Sequence, residues 1–155
     1  MKNPLTRSIG FGLICALVGL GFGIVVSLVF TSPEYNYFWI PVVLSSFALG
    51  TLFWWMLPEH FPRRRVLLGV LAGILGSIVA NIAIWLLTLL GIYLCGQANC
   101  ESLVGKPPAD IWEVLTATAV MSFFSIMIIG WLTSLVGGIL GGLYAFLLQK
   151  RESMG

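Results

Sequence analysis

The chain has 155 residues, 59 % of them hydrophobic and 9 % charged, with a formal net charge of +2. Soluble domains carry roughly 25 % charged residues, so this composition excludes a water-soluble globular fold. The basic residues sit in short patches at the ends of apolar runs and not along a face, which excludes a nucleic-acid surface and marks them as topology signals.

The first apolar run, Ile9 to Phe30, follows Lys2 and Arg7. It is longer than the about 7–15 residues of a secretory signal core and no A-x-A-like cleavage site follows it, so an uncleaved helix is expected. Ile14 ahead of Cys15 does not suit a lipoprotein site, which leaves Cys15 as a packing residue. The link Thr31 to Tyr37 carries Pro33, Glu34 and Asn36, which stop a helix and belong in water. A second helix is expected from about Phe38 to Leu57, with Pro41 in its first turn, where a missing N–H does least harm. Tyr35, Tyr37 and Trp39 should mark one headgroup level and Trp54 and Trp55 the other.

Arg63, Arg64 and Arg65 open the third run, which reaches Cys95 without another charge. That exceeds the about 20 apolar residues needed to cross a hydrocarbon core of about 30 Å. The loop after it, GQANCESLVGKPPAD, has the glycines, prolines and charges of a water-exposed segment. The last apolar stretch, from about Ile111 to Leu148, is too long for one perpendicular crossing. Its first turns, with Trp112, Glu113, Thr116 and Thr118, are expected to leave the membrane or lie along its surface. A break at Gly130 is the competing reading, but it would put a turn in hydrocarbon, where each unpaired backbone group costs several kcal/mol.

Charge selects the threading. With four crossings Lys2, Arg7, the arginine triplet, Lys150 and Arg151 share one side, while Lys106, Glu34, Glu101, Asp110 and Glu113 fall opposite. Basic residues in short loops are retained in the cytoplasm, so both termini are expected there. The fold class is therefore an all-α integral membrane protein, one domain over 1–155, with helices at about 9–30, 38–57, 66–94 and 112–148.

Small side chains recur at helical spacing in three of these helices. Gly12, Cys15, Ala16, Gly19, Gly23 and Ser27 line one face of the first, and Gly69, Ala72, Gly73, Gly76 and Ala80 repeat the spacing in the third. Gly130, Thr133, Ser134, Gly137, Gly141 and Ala145 repeat it in the last. Lipid is as apolar as leucine, so helices within it associate through close contacts that small residues permit. Helices one, three and four should form a tight core with helix two outside it; the alternative is that the stripes meet another subunit.

Asn81 is the most polar residue inside a crossing, flanked by Ser77 and Thr88, with Leu71, Ile74, Ile78, Ile82 and Trp85 expected to face away. An interhelical hydrogen bond is its plainest role, and a polar lining shared with Thr133 and Ser134 is the sharper one. No Asp, Glu, Lys, Arg or His lies within a crossing, which argues against ion relays and charged substrates. His60 has no second ligand nearby in sequence, and metal sites need several donors. Cys95 and Cys100 fall in the compartment that favours disulfides and are expected to bridge. Phosphate-cradling loops, zinc spacings, catalytic triads and nucleic-acid motifs find no match, and nothing calls for a cofactor.

The first functional expectation is a non-enzymatic accessory subunit, assembly factor or scaffold, partnered by other membrane subunits or by itself. The second is a homo-oligomeric channel or carrier for a small neutral or hydrophobic solute. The third is a membrane thiol oxidoreductase using Cys95 and Cys100. The absence of an N-x-[ST] sequon and the compact build favour a bacterial inner membrane.

Overall fold

A computed structural model describes residues 3–29, 37–61, 64–97 and 110–153, with the side chains of 95–97 left out of the description. All regular structure among the described residues is helical: α1 (Pro4–Val29), α2 (Trp39–Met56), α3 (Arg65–Gln97), α4 (Ile111–Ser125), a π turn (Ile126–Gly130) and α5 (Trp131–Ser153). Counting α4, the π turn and α5 as one rod, four helices among the described residues are long and apolar enough to cross a membrane.

The ends of these helices follow from local chemistry. At the start of α1 the Asn3 carboxamide oxygen accepts the Leu5 N–H at 3.3 Å, and Pro4 occupies the first helical position. This cap starts α1 five residues before the apolar run and draws Arg7 into the helix. Asp110 caps α4 by accepting the Glu113 N–H at 2.8 Å, and Glu113 adds a carboxylate to the first turn, where the helix dipole favours it. Lys150 and Arg151 close the last turn of α5, where cations are favoured.

Gly130 does not break the last helix. The chain from Ile111 to Ser153 is one rod of 43 residues, about 65 Å at a rise of 1.5 Å per residue. A π turn widens it where a break was the alternative. Thr133 donates to the Gly130 carbonyl at 3.1 Å, and the Trp131 indole N–H to the Ile128 carbonyl at 2.9 Å. Both bonds add donors where the ladder is disturbed.

Packing departs from the expected arrangement in one important respect: α2 is not outside the core. It is the main partner of α1, as α5 is of α3, and α2 also joins the two pairs by packing on α3. The stripe of α1 faces α2 in antiparallel register, with Gly12 beside Thr51 and Phe47, Gly19 beside Ser46 and Val42, and Gly23 beside Trp39. A continuous glycine groove on α2 is unnecessary, because Ser46, Gly50 and Thr51 are small enough to receive the stripe of α1. The α3–α5 seam is backbone against backbone: a methyl group on Gly73 would run into the Gly137 carbonyl, and one on Gly69 or Gly141 into the other's carbonyl.

Trp54 also departs from expectation. It is 0 % exposed, wedged against Phe11 and Tyr144 at ring-centroid distances of 4.7 Å each, whereas Trp55 is 48 % exposed and fits the headgroup role. Phe11, Trp54 and Ala145 form the core here, with Cys15, Tyr144 and Leu148 packed against it.

Candidate functional site

Two features remain after the helices are packed: a charged end that ties the crossings together, and a cleft above it. At the charged end Glu152 accepts Arg7 Nη2 at 2.7 Å through one oxygen and Arg65 Nη1 at 2.8 Å through the other. Glu59 lies 3.9 Å from Arg7 Nη1, and its other oxygen accepts the Trp54 indole N–H at 3.2 Å. The Tyr144 hydroxyl donates to the Arg7 carbonyl at 2.9 Å. Residues from α1, the link after α2, α3 and α5 thus meet in one network, which brings Arg7 and Glu152, near the two termini, to the same end of the bundle. The Arg65 side chain is 8 % exposed, so part of the arginine triplet is a buried structural cation and not a free anchor. Arg64 is exposed.

Above the Phe11–Trp54–Tyr144 cluster lies a cavity of about 220 Å³, bounded by α1, α2, α3 and the rod formed by Ser125, the π turn and α5. Its floor is buried: Val42 and Gly50 on α2, Ala72, Gly73 and Ala80 on α3. Phe38 and Trp85, ring centroids 5.8 Å apart, bound its far end. Trp85 therefore faces inward beside Asn81, one helical turn away, and not outward as expected. Four residues make one turn, so the two share a face.

Several polar side chains on the cavity wall are turned to protein partners. Asn81 Nδ2 donates to Ser125 Oγ at 2.9 Å, tying α3 to the last residue before the π turn. The Ser77 hydroxyl donates to the Gly73 carbonyl at 2.8 Å, and Thr133 to Gly130 as described. Asn81 Oδ1 has no hydrogen-bond partner and is enclosed by protein. What faces the space is thus mainly carbon, and none of its lining side chains is ionisable apart from the Cys15 thiol. Such a site can hold an uncharged molecule by contact; it presents no acid–base pair.

Of the polar lining expected from sequence, Ser77, Asn81 and Thr133 are on the cavity wall. Thr88 and Ser134 are not, and Thr88 donates to the Ile84 carbonyl at 2.7 Å. Cys15, Ser46 and Ser125 join the wall without having been expected there. Gly12, Gly23, Gly69 and Gly141 lie in the seams, while Gly19, Gly73, Gly76 and Gly137 also border the cavity. Glu59 and Glu152 were also unforeseen, although one signal was available: carboxylates placed among arginines at helix ends oppose the charge segregation and imply pairing.

His60 is exposed, with Nδ1 donating to the Trp55 carbonyl at 2.9 Å and its ring edge-on to Trp55. Among the described residues no three of His, Cys, Asp and Glu gather as a metal site would require. The expected Cys95–Cys100 bridge lies outside the described residues, as do Lys2, Glu34, Tyr35, Arg63, Glu101 and Lys106. No family model, curated protein or solved structure matches the chain.

Proposed function

We propose that this protein is a non-enzymatic carrier or channel component that holds a small neutral, predominantly hydrophobic solute inside the membrane. The observation that carries the reading is the 220 Å³ cavity with its largely carbon wall. The space opens to the side of the bundle, and its volume is enough for a small molecule, being larger than the roughly 150 Å³ engineered cavity that takes up benzene. We place both termini and the link between α2 and α3 in the cytoplasm of a bacterial inner membrane, supported by Arg7, Arg64, Arg65, Lys150 and Arg151 sharing one end.

Ligand-linked stabilisation tests the reading. A molecule that binds only the folded state at 100 times its Kd stabilises by about 2.7 kcal/mol. Toluene, indole and 1-hexanol should therefore raise the Tm of the nanodisc-embedded protein. Gly76→Leu should abolish the shift, because Gly76 borders the cavity and a Cβ there meets the Phe53 side chain no closer than 3.8 Å, so the larger side chain takes up cavity volume. Equal shifts in both proteins would report a bilayer effect and sink the proposal.

An accessory-subunit role is the second reading. The stripes that suggested it are largely occupied within the chain, but Gly21 and Gly91 have nothing within 4 Å of a Cβ position and leave room for a neighbouring helix. Co-purification of a stoichiometric partner that Gly21→Leu or Gly91→Leu releases would favour it.

A further inference from the structure

The four crossings do not close into a ring. Successive neighbours pack as α1 on α2, α2 on α3 and α3 on α5, but α1 barely touches α5. The resolved links between them, Arg7 to Glu152 and Phe11 and Gly10 to Tyr144, belong to the charged end. Beyond that end the two helices stand apart, and the cavity occupies the wedge between them.

Burial around the cavity gives the direction of its opening. The α2 and α3 residues at its floor are almost fully covered, Val42 at 2 %, Ala72 at 1 % and Ala80 at 8 % exposed. Its α1 and α5 walls include residues open to the outside, Val18 at 43 % and Val136 at 37 %. The mouth therefore lies between α1 and α5, on the side of the bundle. It faces the surrounding hydrocarbon if the helices span a bilayer as their length and composition allow.

Resting on the proposed function, we infer that the occupant enters laterally and is an alkyl chain of a bilayer lipid. Three observations favour this class over a polar solute from water. The mouth opens sideways, and approach along the bundle axis from the charged end is blocked by Phe11, Trp54 and Tyr144 beneath the ion pairs. The hydroxyls of Ser77 and Thr133 and the amide nitrogen of Asn81 are bonded within the protein, so a ligand meets mainly methyl, methylene and aromatic carbon, with the Ser46 hydroxyl and the Cys15 thiol as the polar exceptions. The space is long enough to touch Phe11 at one end and Phe38 and Trp85 at the other. A chain drawn from lipid gains nothing by leaving water, because it starts in hydrocarbon. It is held by the dispersion contacts that an empty cleft forgoes.

Photo-crosslinking from a phosphatidylethanolamine with a diazirine in mid-chain tests this in nanodiscs, with labelled residues assigned by peptide mass spectrometry. Label should reach the covered floor at Val42 and Ala80, which lipid on the outer surface cannot touch. It should fall at least tenfold in Gly76→Leu while label at outward-facing Leu17 and Leu135 stays constant. Val136→Trp at the mouth should do the same and serves if Gly76→Leu does not fold. Label confined to outward faces overturns the lateral-lipid inference. If toluene still raises the Tm in that case, the small-solute reading stands alone; if it does not, both fall. Crosslinking of the floor to a co-purified polypeptide also overturns the lipid assignment.

Discussion

The charged end and the cleft are built from the same four crossings, yet one is filled and tied while the other is open. At the charged end, large rings span the distance between helix pairs: Tyr144 reaches from α5 to Phe11 on α1 and Trp54 on α2, and Glu152 joins Arg7 to Arg65. One level higher Cys15, Gly19, Thr133 and Gly137 border the wedge beside larger residues such as Phe22 and Leu140, and no ring spans it. Small side chains thus produce opposite results in one molecule. Within a pair they bring backbones together, and between pairs they leave space.

The sharpest way to break the contrast is to remove the ring that fills the closed end. Trp54→Ala should destabilise by about 3–5 kcal/mol, as truncation of a fully buried aromatic does, and leave Glu59 without its indole donor. Thermal unfolding in a mild detergent measures the loss; a Tm within a degree or two of wild type would mean that the end is not packed as described.

Next in size is the seam set against the cleft. Gly73→Leu would drive its side chain into the Gly137 carbonyl, and overpacking of this kind costs about 1–3 kcal/mol or more. Gly76→Leu, one turn away, should cost less, because its Cβ meets only the Phe53 side chain at ordinary contact distance and no backbone carbonyl. Comparable destabilisation in the two variants would contradict the distinction between seam and cleft.

The smallest expected effect is at Asn81. Asn81→Leu removes the bond to Ser125 and should cost about 0.6 kcal/mol, the average for interhelical hydrogen bonds in membranes. Because Asn81 Oδ1 is enclosed, the variant should keep its Tm shift with toluene. Loss of that shift with stability intact would make the amide a ligand contact after all.

Several features were legible before any coordinates. The four apolar runs, their approximate ends and the small-residue stripes are written in composition and spacing, because hydrocarbon demands long uninterrupted helices whatever their neighbours. Helix ends were less legible. The cap at Asn3 and Pro4 extends α1 through the polar Thr6 to Ser8 segment, which hydropathy alone assigns to water. The position of α2 was not legible at all. Periodicity finds a stripe that is small along its whole length, whereas Ser46 and Gly50 receive α1 only because they stand opposite Gly19 and Cys15 in antiparallel register. Asn81 was visible as a polar outlier; Ser125 was not, since serine is common in such helices and its pairing depends on how α4 lies against α3.

The sequence by itself determined that this chain makes long apolar helices, that most of its cations flank the same ends of those helices, and that three helices carry faces admitting close approach. These are properties of single segments, fixed by the solvent around them and by a helical repeat of about 3.6 residues. Only the tertiary structure decided which faces meet, that Arg7 and Arg65 are held by Glu59 and Glu152, that Trp54 is sealed inside, and that α1 and α5 part to leave a cleft. Those outcomes depend on distances between segments remote in the chain, where matching shapes compete for the same surface, and no single segment encodes which match prevails.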